Sequence, residues 1–115
     1  MSMEAYKGKV KQIQDTPFGY TLSVVGGKWK MVILYLLAEN PPVRFNDLKR
    51  QIGVITYKTL SAQLKELEAD GMVNRKEYPQ IPPKVEYRLT AKAEKLMPLM
   101  EGMCEWGAEH QPKED

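Results

Sequence analysis

The stretch TYKTLSAQLKELEADGMVNRKEY, residues 56–78, changes its period in the middle. Up to Gly71 the leucines Leu60, Leu64 and Leu67 recur at helical spacing. After Gly71, the residues Val73, Arg75 and Glu77 alternate with Met72, Asn74, Lys76 and Tyr78, which is the period of a strand. Beyond PQIPPK the alternation resumes, with Val85, Tyr87 and Leu89 set against Glu86, Arg88 and Thr90. Two alternating runs about a proline-rich loop predict a β-hairpin over residues 72–90. Thr56 suits the start of the preceding helix as its N-cap, and Gly71 suits its end.

Upstream of this stretch the signals are helical. Asp15-Thr16-Pro17 predicts a helix start, with Thr16 as N-cap and Pro17 in the first turn, followed by Tyr20, Leu22, Val24 and Val25. Gly26-Gly27 breaks that helix. A second is expected from about Lys28, with Trp29, Val32, Ile33, Leu36 and Leu37 as its apolar stripe, ending at Asn40-Pro41-Pro42. A short third helix is expected from Arg44 to Gln51, with Phe45 and Leu48 turned inward and Gly53 as its stop. A last helix is expected from Thr90, carrying Leu96, Leu99, Met100, Met103, Cys104 and Trp106 on one side, with Pro98 predicted to kink it. A short helix, a turn, a longer helix and then a hairpin make a winged helix-turn-helix. The predicted fold is α+β and mostly helical, with a two-stranded β-hairpin wing and terminal helices that serve dimerisation. The expected organisation is a polar arm over residues 1–14, one domain over 15–110 and an acidic tail over 111–115; a chain of 115 residues suits one domain.

The longer helix also predicts a surface. Successive helical residues turn by about 100°. With Leu60 at zero, Leu64 falls near 40° and Leu67 near 340°, which defines the buried side. Ser61, Lys65, Lys58, Ala69 and Ala62 then fall between about 100° and 200°, while Glu68 and Glu66 lie on the flanks near 80° and 240°. The side opposite the core is thus small, positive and free of carboxylates, as entry into a DNA major groove requires. A solvated face on a structural helix would have the same look, and it is the neighbouring elements that favour recognition. Thr56 adds a hydroxyl at the helix start that could serve a phosphate. Lys84 and Gln80 at the hairpin tip, Arg44 and Lys28 are further candidate contacts to DNA.

Charge and composition are consistent with this reading. The net charge of +2 hides an asymmetry: residues 1–100 hold 16 lysines and arginines against ten acids, while residues 101–115 hold Lys113 against Glu101, Glu105, Glu109, Glu114 and Asp115. A basic body suits a polyanionic partner. The longest apolar run, Met31 to Ala38, has eight residues, far short of the roughly 18 of a membrane span. The first residues, MSMEAYKGKVKQIQ, hold no apolar signal core, so a cytoplasmic location is expected.

Catalytic and metal chemistry find no constellation. Cys104 is the one cysteine and His110 the one histidine, which argues against an internal disulfide, a cysteine or histidine metal site and a Ser-His triad. GGKWK is not a phosphate loop, because Leu22 and Trp29 stand where that motif needs Gly and Ser or Thr. No cofactor and no enzymatic activity are expected. The methionines of the last helix, Met97, Met100 and Met103, suit either a pocket for an unknown small-molecule effector or a dimer interface; the interface, built from Leu96, Leu99, Met100, Met103 and Trp106, is the favoured reading.

Taken together, TPFGYTLSVVGGKWKMVILYLL, RFNDLKRQIGVITYKTLSAQLKELEADGMVNRKEY and PPKVEYRLT resemble the HxlR-type bacterial transcription regulators, relatives of the MarR group. The likeness runs from about Thr16 to Trp106. It implies a homodimer, joined by the first and last helices, that binds near-palindromic promoter DNA, with the helix at 56–70 as the reader and the hairpin at 72–90 as the wing. Many members carry a cysteine just before the proline that opens the first helix. Thr16 stands there in this chain, so thiol sensing is not carried over. The alternative function is a winged-helix protein-interaction module without DNA binding.

Overall fold

A computed structural model of the protein describes residues 12–113. Most of the expected arm lies outside them. Residues Ile13–Asp15 form a 3-10 turn. The turn is tied to helix α1 (Pro17–Val25) through Thr16, whose hydroxyl donates to the Ile13 carbonyl at 2.6 Å and accepts from the Gly19 amide at 3.0 Å. Gly19 is buried beneath the turn, and a Cβ there would run into the backbone of Ile13 and Gln14. Thr16 and Pro17 therefore hold the cap and first-turn positions that the sequence predicts.

Helix α2 (Lys30–Glu39) starts two residues later than expected, and Lys28 stays in the preceding turn. Its buried residues are Lys30, Ile33, Leu34 and Leu37, whereas Val32 is exposed. The predicted stripe through Val32 is thus rotated. KMVILYLLAE is apolar on nearly every side, so its own pattern does not select a face, and contact with the rest of the domain does. Trp29 packs against the edge of the core.

The short strand β1 (Val43–Arg44) follows and is an element the sequence reading lacks. Helix α3 (Phe45–Ile52) begins directly after it, so Arg44 is a strand residue and not the first residue of a helix. Gly53 closes α3 with φ 79°, a left-handed conformation that only glycine adopts freely. Helix α4 (Tyr57–Ala69) follows the turn, and Gly71, at φ 73°, leads out of it. Strands β2 (Val73–Tyr78) and β3 (Lys84–Leu89) form the hairpin. Helix α5 (Ala91–Glu94) and helix α6 (Met97–His110) replace the single last helix expected. Pro98 lies in the first turn of α6, where its missing N–H costs no bond, so it opens a helix and does not kink one.

The sheet is antiparallel with strand order β1-β3-β2. Val43 lies opposite Tyr87, Val73 opposite Leu89 and Arg75 opposite Tyr87. The face bearing Val43, Val73 and Tyr87 closes on one core with Leu34 and Leu37 of α2, Leu48 of α3, Leu60, Leu64 and Leu67 of α4, Ala93 of α5 and Met100 of α6. The architecture is α+β and mostly helical: a helix-turn-helix, α3 to α4, backed by α1 and α2 and followed by a wing. Among the described residues no single helix is long and apolar enough to cross a membrane.

Candidate nucleic-acid interface

Helix α4 presents two contrasting sides. Leu60, Leu64 and Leu67 are closed off in the core, as their spacing predicts. Lys58, Ala62 and Lys65 are exposed on the other side, with Ser61 half-buried beside them. Neither lysine forms an ion pair with another described residue. The flanking acids differ from one another. Glu66 turns to α2, where its carboxylate accepts from the Lys30 ammonium at 3.0 Å. Glu68 lines a cleft between α4 and the wing.

Thr56 caps the helix, accepting from the Thr59 amide at 3.1 Å, while its hydroxyl donates to the Thr59 side chain at 3.0 Å. The hydroxyl that the sequence offers to a phosphate is therefore engaged inside the helix. Tyr57, which the sequence reading passed over, stands exposed next to it. Its ring stacks on Phe45 with centroids 6.0 Å apart, and the Lys49 ammonium lies 5.1 Å from its centre. An aromatic residue in the first turn of α4 was the available signal.

The cleft between α4 and the wing is open and holds about 810 Å³. Ser61, Lys65 and Glu68 form one wall, and Arg75, Glu77 and Tyr87 face them from the sheet. Arg75 also escaped the sequence reading. Its guanidinium is held above its ordinary pKa, first by a hydrogen bond to Tyr87. Burial pushes the Tyr87 phenol up, and Arg75 opposes that rise. The carboxylate-free strip predicted on α4 is thus local to the helix, because the cleft beside it mixes both signs.

At the wing tip Gln80 is exposed, and Ile81 is 100% exposed. Lys84 is not a free reaching cation. Its side chain is 21% exposed, and its ammonium sits 3.6 Å from the Glu86 carboxylate and 4.1 Å from the centre of the Tyr78 ring. Arg44 is exposed at the sheet edge, opposite Glu86. Lys28 lies over the Trp29 ring at 4.7 Å, in the turn before α2.

The residues expected at a dimer interface divide. Leu99, Met103 and Trp106 are exposed on α6, joined by Phe18, Tyr20 and Leu22 on α1. Met100 is 6% exposed and belongs to the core of the protomer, with Leu96 packed half-buried against it. Met100 therefore anchors α6 from within and offers little surface to a partner. Met100 and Met103 line an open cleft of about 300 Å³ with Met31, Tyr35, Leu36 and Cys104, whereas Met97 faces a separate cleft beside Leu37 and Arg88. The three methionines do not share one pocket.

A helix-turn-helix with a cationic outer face on its second helix and a basic hairpin behind it defines a winged-helix DNA-binding transcriptional regulator. The chain belongs to the HxlR-like helix-turn-helix family, whose sequence profile matches residues 24–115. It is 75% identical over 111 residues to an HTH-type transcriptional regulator of Halalkalibacterium halodurans, covering 96% of this chain and 98% of that one. It is 51% identical over 94 residues to the HTH-type transcriptional regulator YdzF of Bacillus subtilis, covering 82% and 86%. Among solved structures it is similar to the oxidized form of the redox regulator HypR, with a TM-score of 0.78 and 44% identity over 85% of this chain and 100% of that one. It is also similar to a MarR-family regulator from Porphyromonas gingivalis, with a TM-score of 0.81 and 32% identity over 88% and 98%.

Proposed function

We propose that the protein binds near-palindromic promoter DNA as a homodimer in the cytoplasm, with α4 as the reading helix. The observation that carries this is the placement of Lys58 and Lys65 on the exposed side of α4, opposite Leu60, Leu64 and Leu67. Ser61 and Ala62 between them leave room for close approach to base edges. Arg44, Lys28, Gln80 and the wing serve the sugar-phosphate backbone, which sets register and orientation. The exposed apolar side chains of α1 and α6 support pairing through the terminal helices, since apolar patches of this kind mark contact surfaces. A twofold pair would set two reading helices about one DNA turn, roughly 34 Å, apart.

The test is the Lys58→Ala/Lys65→Ala double variant, titrated with promoter duplex at several salt concentrations. Each lost phosphate contact makes the salt dependence shallower by about 0.9 in the log–log slope, so a loss of up to roughly 1.8 is expected together with weaker binding. Parental affinity at every salt concentration would rule out this face of α4.

A further inference from the structure

The outer face of the wing carries a charge arrangement that the reading helix does not account for. Strand β3 lies in the middle of the sheet, and its residues Glu86 and Tyr87 have neighbours on both sides. Glu86 is opposite Arg44 of β1 on one side and opposite Lys76 of β2 on the other. Lys84 and Arg88 stand two residues away on the same strand and hence on the same face. Four cationic residues thus share one face of the sheet with a single carboxylate, and of these Lys84 is the one within ion-pair distance of it among the described residues. Directly opposed side chains in a sheet start only about 5 Å apart at Cβ, which brings Arg44 and Lys76 within reach of it. Lys84 is already there at 3.6 Å, and the two side chains are only 21% and 13% exposed. Tyr78, opposite Lys84, closes the end of the group: the Lys84 and Lys76 ammoniums lie 4.1 Å and 5.0 Å from its ring.

A DNA phosphate is the other anion that suits these cations, and the carboxylate opposes its arrival. The opposition does not depend on base sequence. Non-specific binding to duplex DNA is almost wholly electrostatic, whereas binding at a correct site also draws on base contacts. Taken alone, such opposition weakens both complexes by the same free energy and leaves their difference, which is discrimination, unchanged. It becomes selective where base contacts seat α4 and hold the wing against the backbone, so that a phosphate displaces Glu86 from Lys84, a hold that a non-specific complex lacks. We propose that Glu86 is a specificity-determining residue, a resident rival of the DNA phosphate that holds Lys84 back from arbitrary duplexes and releases it where α4 is seated. This rests on the DNA-binding reading above.

The full chain and its Glu86→Gln variant are titrated with a mixed-sequence duplex and with the duplex that the parent selects most tightly from a random library, across a range of KCl. For Glu86→Gln on the mixed-sequence duplex, tighter binding is expected, with a log–log salt slope steeper by about 0.9, the signature of one further phosphate contact. The ratio of selected to mixed-sequence affinity falls. Lys84→Gln, with Glu86 in place, is expected to leave the mixed-sequence slope unchanged, because that lysine is already held. An unchanged slope and ratio in Glu86→Gln overturns the proposal. So does a slope shallower by about 0.9 in Lys84→Gln, which also serves if Glu86→Gln fails to fold. A parent that binds neither duplex overturns the DNA-binding reading itself.

Discussion

Lys30, the first residue of α2, reaches across 36 residues of sequence to Glu66 on α4, with 3.0 Å between ammonium and carboxylate. The lysine is 6% exposed and is the one buried charged residue among those described. Its carbon stem fills space between α2 and α4, while the charge emerges beside Glu66 at the edge, the usual compromise for a long cationic side chain. Glu66 also accepts from Gln63 at 3.3 Å. The pair ties α4 to α2 behind it, and it keeps one flanking acid of α4 occupied.

Lys30→Ala should destabilise the protein through both lost packing and a lost partner for Glu66, whereas Lys30→Met should cost less because it keeps the stem. Glu66 is 55% exposed in its side chain, so solvent screens much of the ion pair and packing dominates the difference. Thermal unfolding of the two variants measures it. A Met variant as unstable as the Ala variant would place the effect in the charge.

Met100 and Leu99 are neighbours in sequence with opposite expected outcomes. Met100→Ala opens a space in the core and should cost about 2–5 kcal/mol in denaturant unfolding. Leu99→Ala/Trp106→Ala removes exposed surface and should leave the protomer fold intact while weakening self-association in sedimentation. A double variant that sediments as the parent does would remove α6 from the dimer interface.

Thr56→Ala should lower stability by about 1 kcal/mol, because the Thr59 amide loses its cap. Thr56→Ser should restore it. Since the Thr56 hydroxyl already donates to Thr59, DNA affinity should follow stability in both variants. A Thr56→Ala protein that is fully folded at the assay temperature yet binds duplex many-fold more weakly would give the hydroxyl a direct role.

Gly19→Ala should detach the turn at Ile13–Asp15 from α1, since the new methyl group meets backbone and not a movable side chain. Limited proteolysis reads this as earlier cleavage ahead of Pro17. A variant cut no faster than the parent would show that the turn can shift to accommodate a Cβ.

The local signals of this chain are strong wherever residues adjacent in sequence settle the matter among themselves. Thr16 and Thr56 cap helices, Gly53 and Gly71 take left-handed turns, and the change from leucine spacing to alternation places the helix and hairpin over residues 56–90. The cationic side of α4 followed from angle alone, because Leu60, Leu64 and Leu67 leave only one direction inward. Other features depended on partners far along the chain. Strand β1 has two residues and exists because Val43 and Arg44 find Tyr87 and Glu86. The uniformly apolar α2 received its inner face, and Lys30 its burial, from contact with the rest of the domain. Arg75 stands opposite Tyr87, and Glu86 opposite Arg44 and Lys76, through cross-strand register, which joins residues that no pattern in a single segment can bring together; the Lys84–Glu86 pair, two residues apart on β3, lay within reach of alternation alone. Periodicity reports which way a side chain points from its own backbone; only the packed sheet and helices decide what it meets there.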